Sequence, residues 1–301
     1  MRSILLLGST GQLGWELQRS LAPLGDVIAL QRCDTLAGRG CGDLLDPDGL
    51  RETIRRLRPA AVVNAAAYTA VDKAEQDADL AHAINAVGPG VLAEAATEIS
   101  ALTIHFSTDY VFDGSGETPW TESDRPAPLS VYGQTKLDGE QRVRAAAPGR
   151  HLIFRTSWIH SARGINFAQT MIRLARERER LNVVDDQVGA PTGADLIADV
   201  TAHALRKVFD DVGISGTYHV AAHGETSWFG YARFLLDAAR EVSSDLPLKV
   251  RDIVPIPTSA YPTAARRPLN SRLDTSHFRS VFGLTLPDWR VGVRRMLEEV
   301  L

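Results

Sequence analysis

The sequence predicts an α/β fold with a doubly wound parallel sheet and a smaller C-terminal region. Short, nearly continuous apolar runs alternate with amphipathic stretches through the first 158 residues. Strands that are apolar throughout belong to parallel sheets covered on both faces. Beyond residue 158 the alternation loosens, and proline-rich segments such as Val254–Leu273 separate the helical patterns. Long irregular segments of this kind usually line a site, which indicates a second region of different construction.

Each predicted element follows from its pattern. The apolar runs predict strands at Ile4–Gly8, Val27–Leu30, Ala61–Ala67, Leu102–Thr108 and His151–Trp158. Amphipathic stretches predict helices at Pro47–Leu57, Asp77–Ile99, Val131–Ala147, Phe167–Glu179, Asp195–Phe209, Ser227–Val242 and Asp288–Leu301. Asp46 followed by Pro47 is typical of a helix start, because it pairs an N-cap carboxylate with proline at the first helical position.

Composition and charge exclude several classes of protein. Hydrophobic residues make up 44% and charged residues 23% of the 301 residues, as in ordinary globular proteins. A formal net charge of −4 gives no overall basic field, so neither nucleic acid nor a membrane surface is expected as a partner. The two cysteines, Cys33 and Cys41, are too few for a disulfide framework. With no signal-peptide pattern and no long apolar run, we expect a cytoplasmic protein.

Three glycines after the first predicted strand indicate a phosphate-binding turn. Gly8, Gly11 and Gly14 have the spacing G-x-x-G-x-x-G and open a predicted helix. Glycines permit a tight turn and close backbone approach, while the helix N-terminus offers free N–H groups to a pyrophosphate. The order of strand, turn and helix therefore predicts a Rossmann-type dinucleotide-binding unit, the alternative being a turn that serves packing alone.

Tyr132 and Lys136 form a candidate catalytic pair on a predicted helix. Their spacing of four places both on one helix face. Free tyrosine is a poor acid, but a neighbouring ammonium group favours the phenolate. Tyr132 could then give its proton to a ketone oxygen as hydride reaches the carbon. The pair alone is unspecific, because Tyr-x-x-x-Lys often arises by chance.

Upstream motifs make the pair specific. The glycine turn, "VNAAA" (Val63–Ala67), "NAVGPGVLAEAA" (Asn85–Ala96) and the Tyr-Lys pair occur in this order at fitting distances. Together they resemble the extended short-chain dehydrogenase/reductase family. The resemblance continues through "STDYVFDG", "FRTSW", "VVDDQVGAPTGADL" and "SAYPTAARRPLNSRL", and so covers essentially the whole chain. It implies a catalytic set of Thr108, Tyr132 and Lys136, in which Thr108 orients the substrate carbonyl and Lys136 also holds the nicotinamide ribose.

The resemblance implies NADPH or NADH as cofactor. The cofactor-binding residues that it implies are Gly8, Thr10, Gly11, Gln12, Leu13, Gly14, Arg32, Asp43, Leu44, Ala65, Ala66, Ala67, Tyr68, Thr69, Asn85, Ser107, Tyr132 and Lys136. Tyr68 stands where many relatives have histidine. The predicted second strand is followed by no acidic residue until Asp34, so no carboxylate there opposes a 2′-phosphate, and Arg32 could bind it. We expect NADPH to be accepted at least as well as NADH, unless Arg32 faces solvent and selectivity is weak.

Further stretches resemble reductases of dTDP-linked 4-keto-6-deoxysugars. They imply reduction of dTDP-4-dehydro-β-L-rhamnose to dTDP-L-rhamnose, the last step of that synthesis. Related dehydratases carry an Asp-Glu pair after the threonine, whereas Asp109-Tyr110 here leaves an elimination without one of its carboxyl groups. Two alternatives remain open: a reductase of opposite face selectivity that makes a 6-deoxy-talose, and a non-catalytic regulatory binding subunit.

The implied substrate-binding residues are Thr108, Asp109, Tyr110, Trp158, Asn166, Arg266 and Arg272. Arginine's planar fork suits the diphosphate, and Arg267 lies in the same segment. Leu269 stands where a small residue is usual. The implied diphosphate-binding segment therefore departs from the family's pattern at this position. The strand histidines His105, His151 and His219 are interpreted as structural, because no metal-ligand spacing accompanies them. His160 could approach the sugar.

The resemblance also implies a domain division and an assembly. Residues 1–158 with part of 180–210 would form the dinucleotide-binding domain, and the rest of 159–301 the sugar-nucleotide-binding domain. A homodimer is expected. Some relatives hold Mg²⁺ at the interface through acidic residues that correspond to Glu16, Asp195 and Glu299, although Asp195 replaces a longer glutamate.

Overall fold

The structure, a computed structural model, describes residues 2–32 and 40–301. Cys33 and Asp34 lie outside these ranges. The strands are β1 Ser3–Leu7, β2 Asp26–Leu30, β3 Ala61–Asn64, β4 Leu102–Thr108, β5 His151–Thr156, β6 Ile159–His160, β7 Arg180–Val184, β8 Val188–Gly189, β9 Thr192–Gly193, β10 Gly216–His219, β11 Thr226–Ser227 and β12 Asp252–Ile256. The helices are α1 Gln12–Leu21, α2 Pro47–Leu57, α3 Val71–Ala74, α4 Ala78–His82, α5 Gly88–Glu98, α6 Val131–Ala146, α7 Phe167–Glu177, α8 Ala194–Asp210, α9 Trp228–Val242, α10 Ser276–Phe282 and α11 Trp289–Val300.

Six parallel strands form the main sheet in the order β10-β5-β4-β3-β1-β2. The chain moves outward from β1 to β2 and then returns to place β3 on the other side of β1. In sheets of this kind the reversal leaves a crevice beyond the carboxyl ends of the strands, where ligands bind. The glycine turn follows β1 and therefore lies at this crevice.

Helices cover both faces of the sheet, which explains why its strands are apolar throughout. On one face α1, α8 and α10 pack against the strands through residues such as Leu17, Ile197 and Phe278, all fully buried. On the other face α2 and α5 pack through Ile54 and Leu92. The predicted fold class, a doubly wound parallel sheet of Rossmann type with a smaller C-terminal region, is confirmed.

The predicted helix Asp77–Ile99 is interrupted. A π-helical segment, Ala83–Val87, separates α4 from α5. Pro89 has no N–H to donate to the Asn85 carbonyl, so the regular ladder cannot continue through this point. Gly139 of α6 packs directly on that carbonyl, since a Cβ there would lie 2.1 Å from the Asn85 oxygen. The break therefore brings the catalytic helix close to the chain around Asn85.

The C-terminal region packs α7, α9 and α11 around its own core, which contains the fully buried Tyr231 and Trp289. Two-stranded pairs β7–β12, β8–β11 and β6–β9 border it. The four helices predicted beyond residue 158 are present within two residues of their predicted bounds.

The predicted domain division needs one correction, which concerns β10 and α10. Strand β10 is the edge strand of the main sheet, and α10 packs beneath it because the Tyr218 ring contacts Phe278 and Phe282. The division predicted from the sequence places both segments in the sugar-nucleotide-binding domain. Within 180–210, α8 covers the main sheet, whereas β7 pairs with β12 outside it.

None of the helices in residues 2–32 and 40–301 is both long enough and apolar enough to span a membrane.

Candidate active site

The glycine turn after β1 has an open side. Gly8 has φ +77°, and a Cβ on it would lie 2.6 Å from the Ala66 nitrogen. A Cβ on Gly14 would lie 2.0 Å from the Gly8 oxygen. Both glycines are therefore required by the protein's own packing. At Gly11 the nearest atom to a Cβ would be 3.4 Å away, and Gly11 caps α1 without any side-chain hydrogen bond. The helix N-terminus is left free, as a pyrophosphate site requires.

The other predicted cofactor residues gather around this turn. The Gly8 and Ser9 N–H groups donate to the Leu30 carbonyl at 3.1 and 3.2 Å, which fixes the turn to the end of β2. Arg32 follows β2, and its Nε lies 3.6 Å from a carboxylate oxygen of Asp43. Arg32 is thus exposed but paired. Thr10 is exposed on the turn, whereas Leu13 and Leu44 are buried and support the site through packing.

Asn85 lies behind the loop that follows β3 (residues 65–69). Its Oδ1 accepts the Tyr68 N–H at 2.8 Å, and its Nδ2 donates to the Tyr68 carbonyl at 3.1 Å and to the Thr135 hydroxyl at 3.2 Å. Asn85 therefore ties the loop to α6, with both amide N–H groups bonded within the protein and one bond accepted by Oδ1.

The predicted catalytic residues meet at the carboxyl end of β4. Thr108 ends the strand, and Tyr132 lies in the first turn of α6, which Ser130 caps. Burial raises the pKa of the Tyr132 phenol to about 12, Asp109 adds to the shift, and a hydrogen bond with Thr108 opposes it. In the cofactor-free protein the phenol therefore keeps its proton at neutral pH and is a weaker acid than free tyrosine, so the lowered pKa expected from a neighbouring ammonium group is not seen in this state.

Lys136 lies one helical turn after Tyr132 and is only 2% exposed. Its Nζ donates to the Phe106 carbonyl at 2.6 Å and lies 3.3 Å from Nε2 of His105. Burial lowers the pKa of Lys136 to about 8, with Glu140 opposing the shift. His105, interpreted from sequence as structural, is therefore a direct neighbour of a predicted catalytic group.

Ser107 faces inward. Its hydroxyl donates to Glu140 at 2.6 Å, and Arg155 holds the same carboxylate through two hydrogen bonds of 2.8 and 2.7 Å. Burial alone would raise the pKa of Glu140, but the Arg155 guanidinium outweighs it and keeps that pKa below its ordinary value. Glu140 is not among the residues predicted from the sequence, although its position four residues after Lys136 on one helix face is a usable signal.

A salt bridge joins the proline-rich segment to helix α3 beside the catalytic residues. Arg267 donates to both carboxylate oxygens of Asp72, at 3.1 and 2.6 Å, and Asp72 also accepts the Ala265 N–H. Asp72 lies in α3, directly after the cofactor loop, so this contact fastens the proline-rich segment to the dinucleotide-binding side. Beneath it, the Tyr110 ring meets the Tyr132 ring edge-on at 5.7 Å. Asp72 is not among the residues predicted from the sequence.

Asp109 is a buried carboxyl group beside the catalytic threonine. It is 2% exposed, and its Oδ1 accepts the Thr108 hydroxyl at 3.1 Å. Burial raises the pKa of Asp109 to about 7, while hydrogen bonds to Ser271 and Thr108 oppose that shift. Near neutral pH this side chain therefore exists partly as the acid.

Two predicted substrate residues have partners that change their interpretation. Trp158 has a positive φ of 48°, and its ring stacks on Trp228 with centroids 3.6 Å apart and planes 11° from parallel. Only its other face remains for a sugar. Asn166 caps α7 through the Gln169 N–H and donates to Gln12 at 3.0 Å. It connects the glycine turn to the C-terminal region.

The arginines of the proline-rich segment differ in their pairing. Arg272 donates to Glu225 at 2.7 Å, and Arg267 is held by Asp72. Arg266 is exposed, and within the described ranges it is the one of the three without a carboxylate partner. Leu269 is 48% exposed. Of these arginines, Arg266 is therefore the most accessible to an anionic ligand.

The predicted metal residues share a small cavity but do not form a metal site within one chain. Glu16, Asp195 and Glu299 line it together with His160. Arg295 lies 3.3 Å from Asp195 and 3.4 Å from Glu299, so its guanidinium occupies the place of a cation between them. In the part of the chain that the structure describes, no three metal-ligating side chains converge. His160, which was expected near the sugar, lies here instead, and burial lowers its pKa to about 4.

Fold and site together define a class of protein. A six-stranded parallel sheet, a glycine-rich turn after β1 and a Thr-Tyr-Lys set on β4 and α6 characterise the extended short-chain dehydrogenase/reductases, which use a nicotinamide cofactor. The chain is an oxidoreductase of this class.

Comparison with known proteins identifies the family. The family described as RmlD substrate binding domain matches residues 1–301. A dTDP-4-dehydrorhamnose reductase from Escherichia coli K12 is 53% identical over 99% of this chain and 98% of its own length. One from Burkholderia thailandensis is 47% identical, with 99% of each chain covered. A solved structure of dTDP-4-dehydrorhamnose reductase from Bacillus anthracis in complex with NADP is 34% identical, covers 99% of this chain and 100% of its own, and has a TM-score of 0.88. The chain belongs to the RmlD family.

Proposed function

We propose that the protein reduces the 4-keto group of dTDP-4-dehydro-β-L-rhamnose with NAD(P)H and so completes the synthesis of dTDP-L-rhamnose. The observation that carries this function is the meeting of Tyr132, Thr108 and Lys136 at the carboxyl end of β4, beside the open glycine turn. The reductases named above align with this chain over almost their full length, which supports the same substrate.

Tyr132 is the proton donor in this account. When bound, the reduced nicotinamide supplies a hydride to C4 of the sugar. The negative charge that develops on the carbonyl oxygen is neutralised as Tyr132 transfers its phenolic proton to that oxygen. The raised pKa of Tyr132 keeps that proton in place before reaction. Thr108, which is hydrogen-bonded with Tyr132, orients the same oxygen.

Lys136 supports the phenol during transfer. With its amine moved beside Tyr132, the Lys136 ammonium group would stabilise the phenolate that remains after the proton has left. Because Lys136 is almost fully buried, its charge acts with little screening by solvent. One turn further along α6, Glu140 pairs with Arg155 of β5 and with Arg144, which ties the helix to the sheet.

Gly8, Gly11 and Gly14 with residues 65–67 would hold the dinucleotide. The protein's own packing does not require a glycine at position 11. This supports a role for Gly11 in leaving room for a phosphate group. Arg32, at the end of β2, would bind a 2′-phosphate. For that contact the Arg32 guanidinium must either turn away from Asp43 or bind the phosphate while it stays paired with Asp43.

The sugar nucleotide would bind between Trp158 and the proline-rich segment. The half-buried indole of Trp158 suits the sugar ring, and Arg266 suits the diphosphate. We further propose that the enzyme acts as a homodimer in the cytoplasm, where both charged nucleotide reactants are found. Mg²⁺ at an interface stays a prediction that the carboxylate–arginine pairing of a single chain does not favour.

The test is turnover of the keto sugar. Purified protein is incubated with dTDP-4-dehydro-β-L-rhamnose and NADPH or NADH, and the product is identified by NMR. We expect dTDP-L-rhamnose together with oxidation of one cofactor per sugar. Formation of a 6-deoxy-talose would replace the proposed stereochemistry. Tight binding of the cofactor without turnover would favour the regulatory subunit.

A further inference from the structure

A line of hydrogen bonds runs beneath the catalytic lysine. The backbone N–H of Ala66 donates to Oδ1 of Asn64 at 3.1 Å. Nδ2 of Asn64 lies 3.3 Å from Nδ1 of His105, and Nε2 of His105 lies 3.3 Å from Nζ of Lys136. All three side chains are at most 2% exposed. No solvent therefore compensates for a mismatch of donors and acceptors along the line.

The direction of each bond follows from its fixed end. A backbone N–H can only donate, so the atom of Asn64 that faces Ala66 is the oxygen, and the amide NH₂ faces His105. Nδ1 of His105 must then accept, which puts the imidazole proton on Nε2. That proton points at Nζ of Lys136.

The far end of the line then constrains Lys136. A protonated amine has three donors and no acceptor, so it would place N–H against N–H at His105. A neutral amine has a lone pair that accepts from Nε2 and still donates to the Phe106 carbonyl, which lies 2.6 Å away. The charged form of Lys136 therefore has one hydrogen too many for this network.

We propose that His105 is a positioning residue whose Nε2–H favours the neutral amine of Lys136 over its ammonium form in the cofactor-free protein. This preference would end when the amine leaves His105 to act beside Tyr132, where the charged form is used. The inference rests on the proposed function only in giving Lys136 a catalytic task.

The charged and titratable groups described around His105 and Lys136 do not offer another acceptor for the Nε2 proton of His105. On α6, Glu140 favours the charged lysine, but its carboxylate is already held by Arg155 of β5. Tyr132 precedes Lys136 on the same helix, and beyond the end of β4 Asp109 acts on Tyr132. Strand β3 presents the neutral Asn64. Burial and the nearness of Lys136 both lower the pKa of His105 well below its ordinary value, which agrees with a neutral imidazole.

NMR of the cofactor-free protein tests the ionisation directly. The chain has four lysines, so protein carrying ¹³C-lysine gives four Cε signals, and loss of one in Lys136→Arg assigns Lys136. We expect Lys136 to titrate near pH 8, well below the ordinary lysine value. Long-range ¹H–¹⁵N spectra of the eight histidines should show His105 as the Nε2–H tautomer. Titration of Lys136 at the ordinary lysine value, or an Nδ1–H tautomer of His105, would overturn the proposal.

Two substitutions at His105 separate the hydrogen bond from mere packing. In His105→Gln the amide oxygen can accept from Asn64 while the amide N–H faces Lys136, so the midpoint should stay near the wild-type value. In His105→Asn the side chain is too short to reach Nζ, and the midpoint should rise by about one pH unit, the equivalent of one lost hydrogen bond. Equal midpoints in both variants would contradict the role of Nε2–H.

His151→Asn is the matched control. His151 is also a buried strand histidine, but it bonds only to the Ala147 carbonyl among the contacts described. Its replacement should leave the Lys136 titration unchanged, and a shift there would mean that general loosening of the core is responsible. These spectra require no turnover. Failure of the inference with normal reduction of the keto sugar is therefore distinct from failure of the proposed function.

Discussion

Gly11→Ala should separate dinucleotide binding from folding. The new Cβ would lie 3.4 Å from the Gly8 oxygen, an ordinary contact, and the backbone at Gly11 (φ −70°, ψ 166°) suits alanine. Alanine is a weaker N-cap than glycine by about 1 kcal/mol or less. It also lowers the entropy of the unfolded chain, which stabilises the fold by about 0.4–1 kcal/mol. The free energy of unfolding should therefore hardly change.

Gly11→Ala should instead weaken the binding of NADPH. The methyl group would stand in the open mouth of the turn, where a phosphate must approach the first N–H groups of α1. Loss of one hydrogen bond to a charged phosphate costs about 1.5–3 kcal/mol. That loss corresponds to a Kd for NADPH raised by about 10- to 150-fold.

The assay is a fluorescence titration with NADPH, paired with urea unfolding of the same samples. Gly14→Ala is the contrast, because its Cβ would lie 2.0 Å from a backbone oxygen. We expect that variant to lose about 1–3 kcal/mol of stability. An unchanged Kd in Gly11→Ala would refute the assignment of the turn, as would a large loss of stability in that variant.

Four further predictions follow from the site. Tyr132→Phe should fold normally and lose roughly 10²–10⁴ in kcat, with a smaller loss in Thr108→Val, and wild-type turnover by the phenylalanine variant would exclude Tyr132 as the acid. Wild type should use NADPH at least as well as NADH, and Arg32→Ala should reduce kcat/KM selectively for NADPH; a clear wild-type preference for NADH would contradict this. Glu140→Gln should cost about 3 kcal/mol in urea unfolding at neutral pH, because Arg155 is left as an unpaired buried charge. Because folding lowers the pKa of Glu140, the stability it contributes is complete above the ordinary glutamate pKa and is lost as pH falls through the pKa of the folded protein. The difference in free energy of unfolding between wild type and Glu140→Gln should therefore narrow in acid. Light scattering should give the mass of a dimer that survives chelation, and dissociation or loss of activity with a chelator would restore a role for metal at Glu16, Asp195 and Glu299.

Local patterns predicted the sheet and the phosphate-binding turn well. Strand β4 and helix α2 have the bounds that their apolar and capping residues indicated, and the Asp46 side chain accepts from the Gly49 N–H as expected of an N-cap. These features depend on neighbouring residues. The break before α5 had a local cause too, in Pro89, but the apolar periodicity on both sides concealed it.

Contacts between distant parts of the chain could not be predicted in the same way. Asp72 and Arg267 are 195 positions apart, and nothing near either residue indicates the other. The same holds for the stack of Trp158 on Trp228 and for Arg295 between two carboxylates. Alternation along β4 places His105 and Ser107 on one strand face, but only the packing of α6 brings that face to Lys136 and Glu140.

The proposed reaction delivers hydride to C4 of the sugar while Tyr132 supplies the proton to the carbonyl oxygen. The most direct measurement uses NADPH deuterated at the transferable position of the nicotinamide, in ordinary water, with dTDP-4-dehydro-β-L-rhamnose as substrate. NMR of the product should find one deuterium, bound to C4 of dTDP-L-rhamnose, and none elsewhere in the sugar. A product whose C4 carries hydrogen from solvent, or a sugar recovered with its ketone intact, would contradict the proposed reaction.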